Sequence, residues 1–574
     1  MRFLFPIIIF ILIFLPCLSE AQEILGQQTS FNIESSYDLS KRTEVLASLI
    51  RISPTVYWYA DDTWWGNLSP EEQEEVGQSL SSLTEEFETN IYPTLTRTFG
   101  FEWSPGIDKD IRITVLLHSM SKEAGGYTDT SDEYPKVQIP ESNEREMIYL
   151  NSQYINTDYA KSFLAHEFTH LITFNQKNKT YNISEDVWLN EARAEYVPTL
   201  LGYDQDYQSS NLQKRVKDFL DKPTDSLTEW REVPSDYGIV NLFTQYLVDH
   251  YGIKILADSL KMRKTGIESI NVVLAKQGFK EDFSQIFINW TVAVLINDCQ
   301  VSEKYCYFNQ NLEDFRITPL INYLPFVGES TLSVNNTTKD WAGNWHKFIG
   351  GKGTLRLEFK GNNGINFKVL YIIQDVRGNF LVDELALDDY QDGEILISDF
   401  GSENISLTII PIAQHSLSNF SGLQSSRAFF WSASTQEKQE INIPSLSPAE
   451  KAISQMTKSE LLARIAEILA VIKQLQALLN ETGLEISCQS ISQNLYFGLA
   501  NNSQVKCLQE FLKSQGPDIY PEGIASGNFF SLTQSAVIRF QEKYASEILT
   551  PVGLKAGTGF VGPSTRAKIN QLLK

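Results

Sequence analysis

Residues 163–174 read "FLAHEFTHLITF". The run from Tyr159 to Phe174 is apolar at helical spacing, which predicts a helix. Within it, His166 and His170 stand four residues apart, so one helix face presents two imidazoles that can meet a single ion. Glu167 leaves the helix at a different angle and can reach a water on that ion rather than the ion itself. The pattern is H-E-x-x-H. By itself it also arises by chance in helices, so its reading depends on what the rest of the chain supplies.

A catalytic zinc needs a third protein ligand and one open position. "DVWLNEARAEYVPTLLG" begins at Asp186 and places Glu191 twenty intervening residues after His170. That interval allows the first helix to end, the polar, turn-rich "NQKNKTYNISED" to form a loop, and a second helix to return alongside. Glu195 lies one turn beyond Glu191 on the same face, placed to accept the outer N–H of a metal-bound histidine and fix its tautomer. The competing interpretation is a solvated acidic helix face; Leu189 and Ala192 as packing neighbours argue against it. Peptide hydrolysis also builds negative charge on the attacked carbonyl oxygen, which calls for a donor. Tyr237 in "PSDYGIVNLF" is the candidate, with His250 second, although a tyrosine at a helix start also serves packing. "REMIYLN", residues 145–151, reads as a strand and as the cleft edge to which an extended substrate adds.

The chain has 574 residues, enough for three or four domains. A hydrophobic fraction of 42% with 12% aromatics supports sizeable cores. The formal net charge of −23 repels phosphate backbones, so nucleic acid is not an expected partner. "MRFLFPIIIFILIFLPCLSEAQ" reads as a secretory signal cleaved after Ala21, with an uncleaved anchor as the rival; after cleavage no membrane contact is expected. Four cysteines then remain, and in an exported protein they read as two local disulfides, Cys299–Cys306 and Cys488–Cys507.

The expected fold is multidomain. After the signal at 1–21 comes an α+β domain over 22–325, with strands early and helices later. An all-β, sandwich-like domain follows over 330–443, where short alternating runs are separated by Gly, Asn and Asp. Residues 445–482 hold a linker and a coiled-coil-like helix, in which Leu461, Ile465, Ile468, Ile472, Leu475 and Leu479 repeat with period 3.5. It reads either as a stalk that forms a homo-oligomer through 457–480 or as a helix folded onto its neighbours. The last block, 483–574, is compact and helical. Asp61, Asp62, Asp129 and Asp132 are acidic groups open to calcium, with no spacing that fixes a site.

H-E-x-x-H, an interval of about twenty residues, and then Asn190-Glu191-Ala192-Arg193-Ala194-Glu195-Tyr196 resembles the gluzincin metallopeptidases. "AGGYTDTSDEYP" with "NEREMIYLNSQYI" looks like their hyicolysin-type branch, and the resemblance covers roughly Val56 to Trp290. It implies a zincin-type domain with one catalytic Zn2+. His166, His170 and Glu191 would be its ligands and Glu167 the general base, later acid, with Glu195 and Asn190 in the supporting shell. Ala192 departs from relatives that carry Gly there; a methyl is tolerated in a helix. "VKCLQEFL", "TQSAVIRFQEKY" and "GFVGPSTRAKIN" resemble the three-helix peptidoglycan-binding domains. Together these imply an exported, extracellular or cell-wall-associated bacterial zinc endopeptidase acting on proteins or peptides. The alternatives are a hydrolase of peptidoglycan stem peptides and a non-catalytic wall-bound adhesin or scaffold.

Overall fold

The computed structural model describes residues 23–121, 124–325, 330–418, 420, 422–436, 457, several positions within 461–468, and 490–499, 502–521 and 523–573. The signal segment therefore lies outside the described residues, as does Cys488. So does most of the heptad helix, including Ile472, Leu475 and Leu479. The chain divides into two compact units, the boundary falling after residue 438.

The first unit opens with a six-stranded sheet: β1 (Gln28–Asn32), β2 (Glu44–Ile52), β3 (Val56–Asp61), β4 (Ile113–His118), β5 (Gly126–Tyr127) and β6 (Met147–Asn151). The strand order is β1-β2-β3-β4-β6-β5. Strands β3, β4 and β6 run parallel, and β5 returns antiparallel to β6. β3, β4 and β6 are buried throughout, as parallel strands covered on both faces must be. "REMIYLN" is therefore not the cleft edge: β6 is paired on both sides, and the last strand is the two-residue β5. The crossover from β3 to β4 carries α1 (Asp62–Gly66), α2 (Pro70–Glu86) and α3 (Tyr92–Phe99). Ser69 and Glu72 close a capping box at the start of α2.

Then follow α4 (Tyr159–Thr173), α5 (Val187–Leu200), α6 (Asn211–Asp221), α7 (Pro234–Tyr251), α8 (Lys254–Leu260), α9 (Gly266–Gln277) and α10 (Phe283–Ile296). α4 buries Leu164, Phe168, Leu171 and Ile172. Phe168 packs edge-on to Phe87 at 5.1 Å and stacks on Tyr92 at 5.5 Å. The polar stretch after α4 is not simply a loop. The helix runs on as a wider π-helical turn over Phe174–Lys179, because Lys177 is buried there and donates to the carbonyls of Ser259 and Met262.

Cys299 and Cys306 are joined by a disulfide. Leu320–Leu324 pairs with His346–Gly350, so this last stretch of 22–325 hydrogen-bonds into the following sheet. That sheet has nine strands between residues 320 and 436. Phe348, Leu357, Phe359, Leu407 and Trp431 belong to its own core. It is fastened to the helical layer by Trp341, whose ring meets Phe283 at 5.1 Å and Phe287 at 5.5 Å, and whose carbonyl accepts from Leu227 N.

The second unit, taken by itself, packs helices Ser503–Ser514, Ser531–Lys543 and Pro563–Leu572 around Leu508, Leu512, Val537, Phe540 and Ile569. The stretches between these helices contribute to the core as well, through Ile519, Tyr520, Ile548 and Leu549. One device occurs twice. Gln509 donates to Thr533 Oγ1 and Asn528 O while accepting from Gly527 N. Gln541 does the same with Thr565 Oγ1, Phe560 O and Gly559 N. Cys507 is disulfide-bonded.

Candidate metal centre and catalytic cleft

α4 and α5 lie side by side and bring His166, His170 and Glu191 together, one ligand atom of each within 4.8 Å of the others. Glu191 Oε2 is 3.3 Å from His166 Nε2, and Oε1 is 3.6 Å from His170 Nε2. The imidazoles stand 4.9 Å apart at 78°. Two Nε2 atoms and one carboxylate suit zinc, a borderline-soft ion that takes nitrogen and oxygen ligands. The surroundings fit as well: Glu191 Oε2 is buried without a hydrogen bond, which a bound cation would satisfy. Burial disfavours the Glu191 carboxylate, yet His170 and His166 outweigh it and hold its pKa below the ordinary range. Burial likewise opposes charge on His166, but Glu191, Glu167 and Glu195 prevail and lift it to about 9.

Glu195 is tied to the far side of the centre. Its Oε1 lies 3.5 Å from His166 Nδ1. Arg215 grips the same carboxylate through two donors at 2.6 and 2.7 Å, and Asn211 adds a third at 3.0 Å. Burial alone would raise the Glu195 pKa; Arg215 and the other donors bring it down to about 2. Glu195 therefore stays ionised and can hold a proton on His166 Nδ1, so that a cation would displace the proton of Nε2. Asn190 lines the cleft, but its Oδ1 accepts no hydrogen bond.

Glu167 projects into the cleft and accepts from Thr128 Oγ1 at 2.9 Å. Burial raises its pKa, partly offset by the two histidines. Two cavities meet beside it, of about 370 and 300 Å³. The first takes in Phe163, Pro198 and Lys214; the second takes in His170, Asn178 and Ser184. Among the described residues, those lining both are Tyr37, Gly126, His166, Glu167 and Tyr237. Gly126 is there by necessity, because a Cβ would come within 2.7 Å of Tyr149 O and 3.1 Å of Glu167 Cγ.

Tyr237 thus faces the centre, its ring edge-on to Trp230 at 4.9 Å and under the Arg215 guanidinium at 4.7 Å. His250 does not. Its Nε2 sits 3.0 Å from Cys306 O, and its ring packs on Tyr246 and Phe308 at the far end of α7. The aspartates considered for calcium are already engaged: Asp61 with Arg42 at 2.9 Å, Asp132 with Tyr149 and Asn143. Sequence reasoning missed Tyr37, Thr128, Asn211 and Arg215. Asn211 and Arg215 carried a signal, being one turn apart on a helix face; Tyr37 and Thr128 sit in short polar stretches with none.

No family model matches the chain. Over 195 residues it is 27% identical to the neutral metalloprotease ShpI of Staphylococcus hyicus, a match covering 30% of this chain and 42% of that protein. The similarity is to a metalloprotease. The chain spans less than half of that relative's length. Solved structures align only at low scores. The pre-peptidase C-terminal domain of a Bacillus anthracis collagenase gives a TM-score of 0.14 at 7% identity, covering 20% of this chain and 96% of that one. The surface-associated copper-binding protein CorA of Methylomicrobium album BG8 gives 0.13 at 8%, covering 21% and 100%. Neither bears on the fold. Among the described residues no helix is long and apolar enough to cross a membrane.

Proposed function

We propose that the chain is a zinc-dependent endopeptidase of the gluzincin type, built on a zincin-type α+β domain. The observation that carries this reading is the convergence of His166 Nε2, His170 Nε2 and the Glu191 carboxylate beside a Glu167 held by Thr128. The partial similarity to a neutral metalloprotease supports it. Zinc, when bound, supplies a Lewis acid that acidifies water and polarises a carbonyl. Glu167 takes the proton of the attacking water and hands it to the departing amine. Glu195, clamped by Arg215 and Asn211, orients His166. The terminal strand β5 offers its outer edge to an extended polypeptide, which pairs there as a further strand. Tyr237 lies at the meeting of the two cavities and serves as a donor to the attacked carbonyl.

We propose further that the protein is exported and held at a bacterial cell wall by residues 483–574, on the strength of the sequence motifs there. The test uses the chain from residue 22 onward. Wild type is expected to hold about one zinc and cleave casein, and Glu167→Ala to hold zinc without cleaving. Sedimentation with purified peptidoglycan, with and without residues 483–574, tests the wall contact. Release of stem peptides with intact casein would instead favour the peptidoglycan hydrolase. Failure to bind zinc would leave the scaffold.

A further inference from the structure

The peptidase reading leaves one feature of the cleft unused. Tyr37 lines both cavities at their junction, although it comes from the segment between β1 and β2, remote in sequence from the motif helices. Its ring stacks on Tyr127 of β5 at 4.7 Å and 15°, against the strand proposed to receive substrate. The two stacked phenols differ in what their hydroxyls do. Tyr127 Oη accepts from Glu34 N at 3.1 Å, whereas among the described residues no hydrogen bond engages Tyr37 Oη.

The backbone around Tyr37 is fastened. Its N–H donates to Glu34 O at 3.2 Å, its carbonyl accepts from Ser121 N at 3.0 Å, and Leu39 N donates to Ser119 O at 3.0 Å. The adjacent Asp38 is buried, bound by Arg42 at 2.7 Å and facing His118 Nδ1 at 3.4 Å. A half-buried phenol on so anchored a segment, with a free hydroxyl and a share in the lining that His166 and Glu167 also form, is a preorganised donor.

We propose that Tyr37 is a substrate-contacting residue of this site, its hydroxyl donating to the carbonyl oxygen of the peptide bond under attack. The inference rests on the peptidase reading and adds that the N-terminal segment completes the cleft. Tyr37 and Tyr237 then hold the reacting group from two supports, one braced on the edge strand and the other on Arg215 of α6.

The test compares Tyr37→Phe with wild type in the zinc-loaded chain. Phenylalanine keeps the stack on Tyr127 and removes only the hydroxyl, so zinc content and thermal midpoint are expected to stay unchanged. Affinity for a blocked phosphonamidate tripeptide, a tetrahedral anion resembling the transition state, should fall at least about tenfold, while that of the corresponding N-blocked carboxylate fragment left by cleavage changes by less than about threefold. On a fluorogenic peptide the loss should appear in kcat rather than KM. Equal phosphonamidate affinity in both proteins, or none in the wild type, overturns the assignment. Wild-type zinc content and casein cleavage judge the peptidase reading separately.

Discussion

Arg215 performs two tasks with one guanidinium: it neutralises the buried Glu195 carboxylate and lies over the ring of Tyr237. Replacing it with Met should leave Glu195 buried without its cation and cost about 3–5 kcal/mol, read from chemical denaturation. Glu195→Gln is milder, because the amide still packs between Arg215 and Asn211. Its expected effect is a zinc affinity weaker by about 10- to 100-fold, measured by competition with a chelator. The four central residues were legible in the sequence because helix periodicity fixes what faces what. A separation of four puts His166 and His170 on one face, and the interval to Glu191 suits a returning helix. Tyr37 and Thr128 were not legible, because each reaches the centre through the sheet's topology, which no local spacing encodes.

The elements that frame the cleft carry their own tests. β5 passes so close to the motif helix that Gly126→Ala would press a methyl against Tyr149 O and Glu167 Cγ. Hydrolysis should fall by tenfold or more while zinc content is kept, a pairing that separates displacement of the edge from loss of the metal. Behind the cleft, Glu133 and Glu146 are buried, and neither Glu133 carboxylate oxygen has a hydrogen-bond partner. Burial, with each acid's acidic neighbours adding to it, raises their pKa values to about 9 and about 8. The folded state therefore keeps protons that the unfolded chain releases above about pH 4.5, so the contribution of these two acids to stability is fully present below that pH and is lost as pH rises towards 9. Glu133→Gln should flatten that decline, and its melting temperature should exceed that of wild type at pH 8.5. α5 lies where the returning helix was expected, and it is buried around most of its circumference, Arg193 and Glu195 included. β1 and β2 went unread: β1 has only five residues, and β2, nine residues long with alternate burial at its start, takes its place by pairing within the sheet. The π-helical turn after α4 was hidden because a buried lysine looks polar on paper.

At the scale of the whole molecule, the nine-stranded sheet is joined to the helical layer through Trp341, whose ring meets both Phe283 and Phe287, all three fully buried. Trp341→Ala should cost about 3–5 kcal/mol. A chain cut at residue 325 should aggregate where one ending at 438 stays soluble, as size-exclusion chromatography would reveal. The change to an all-β stretch was readable from the shift to alternating text near residue 330, where the nine-stranded sheet lies. The attachment of the sheet was not, since tryptophans reveal burial but not partners. The cleft itself draws on positions from Tyr37 to Tyr237, with Glu167 held by Thr128 and Glu191 on α5. A nascent chain has both histidines in order before Glu191, Arg215 and Tyr237 can close around them. On the proposed reading the site is inert by incompleteness: until the polypeptide has folded through α7 there is no cleft in which a peptide could be cut.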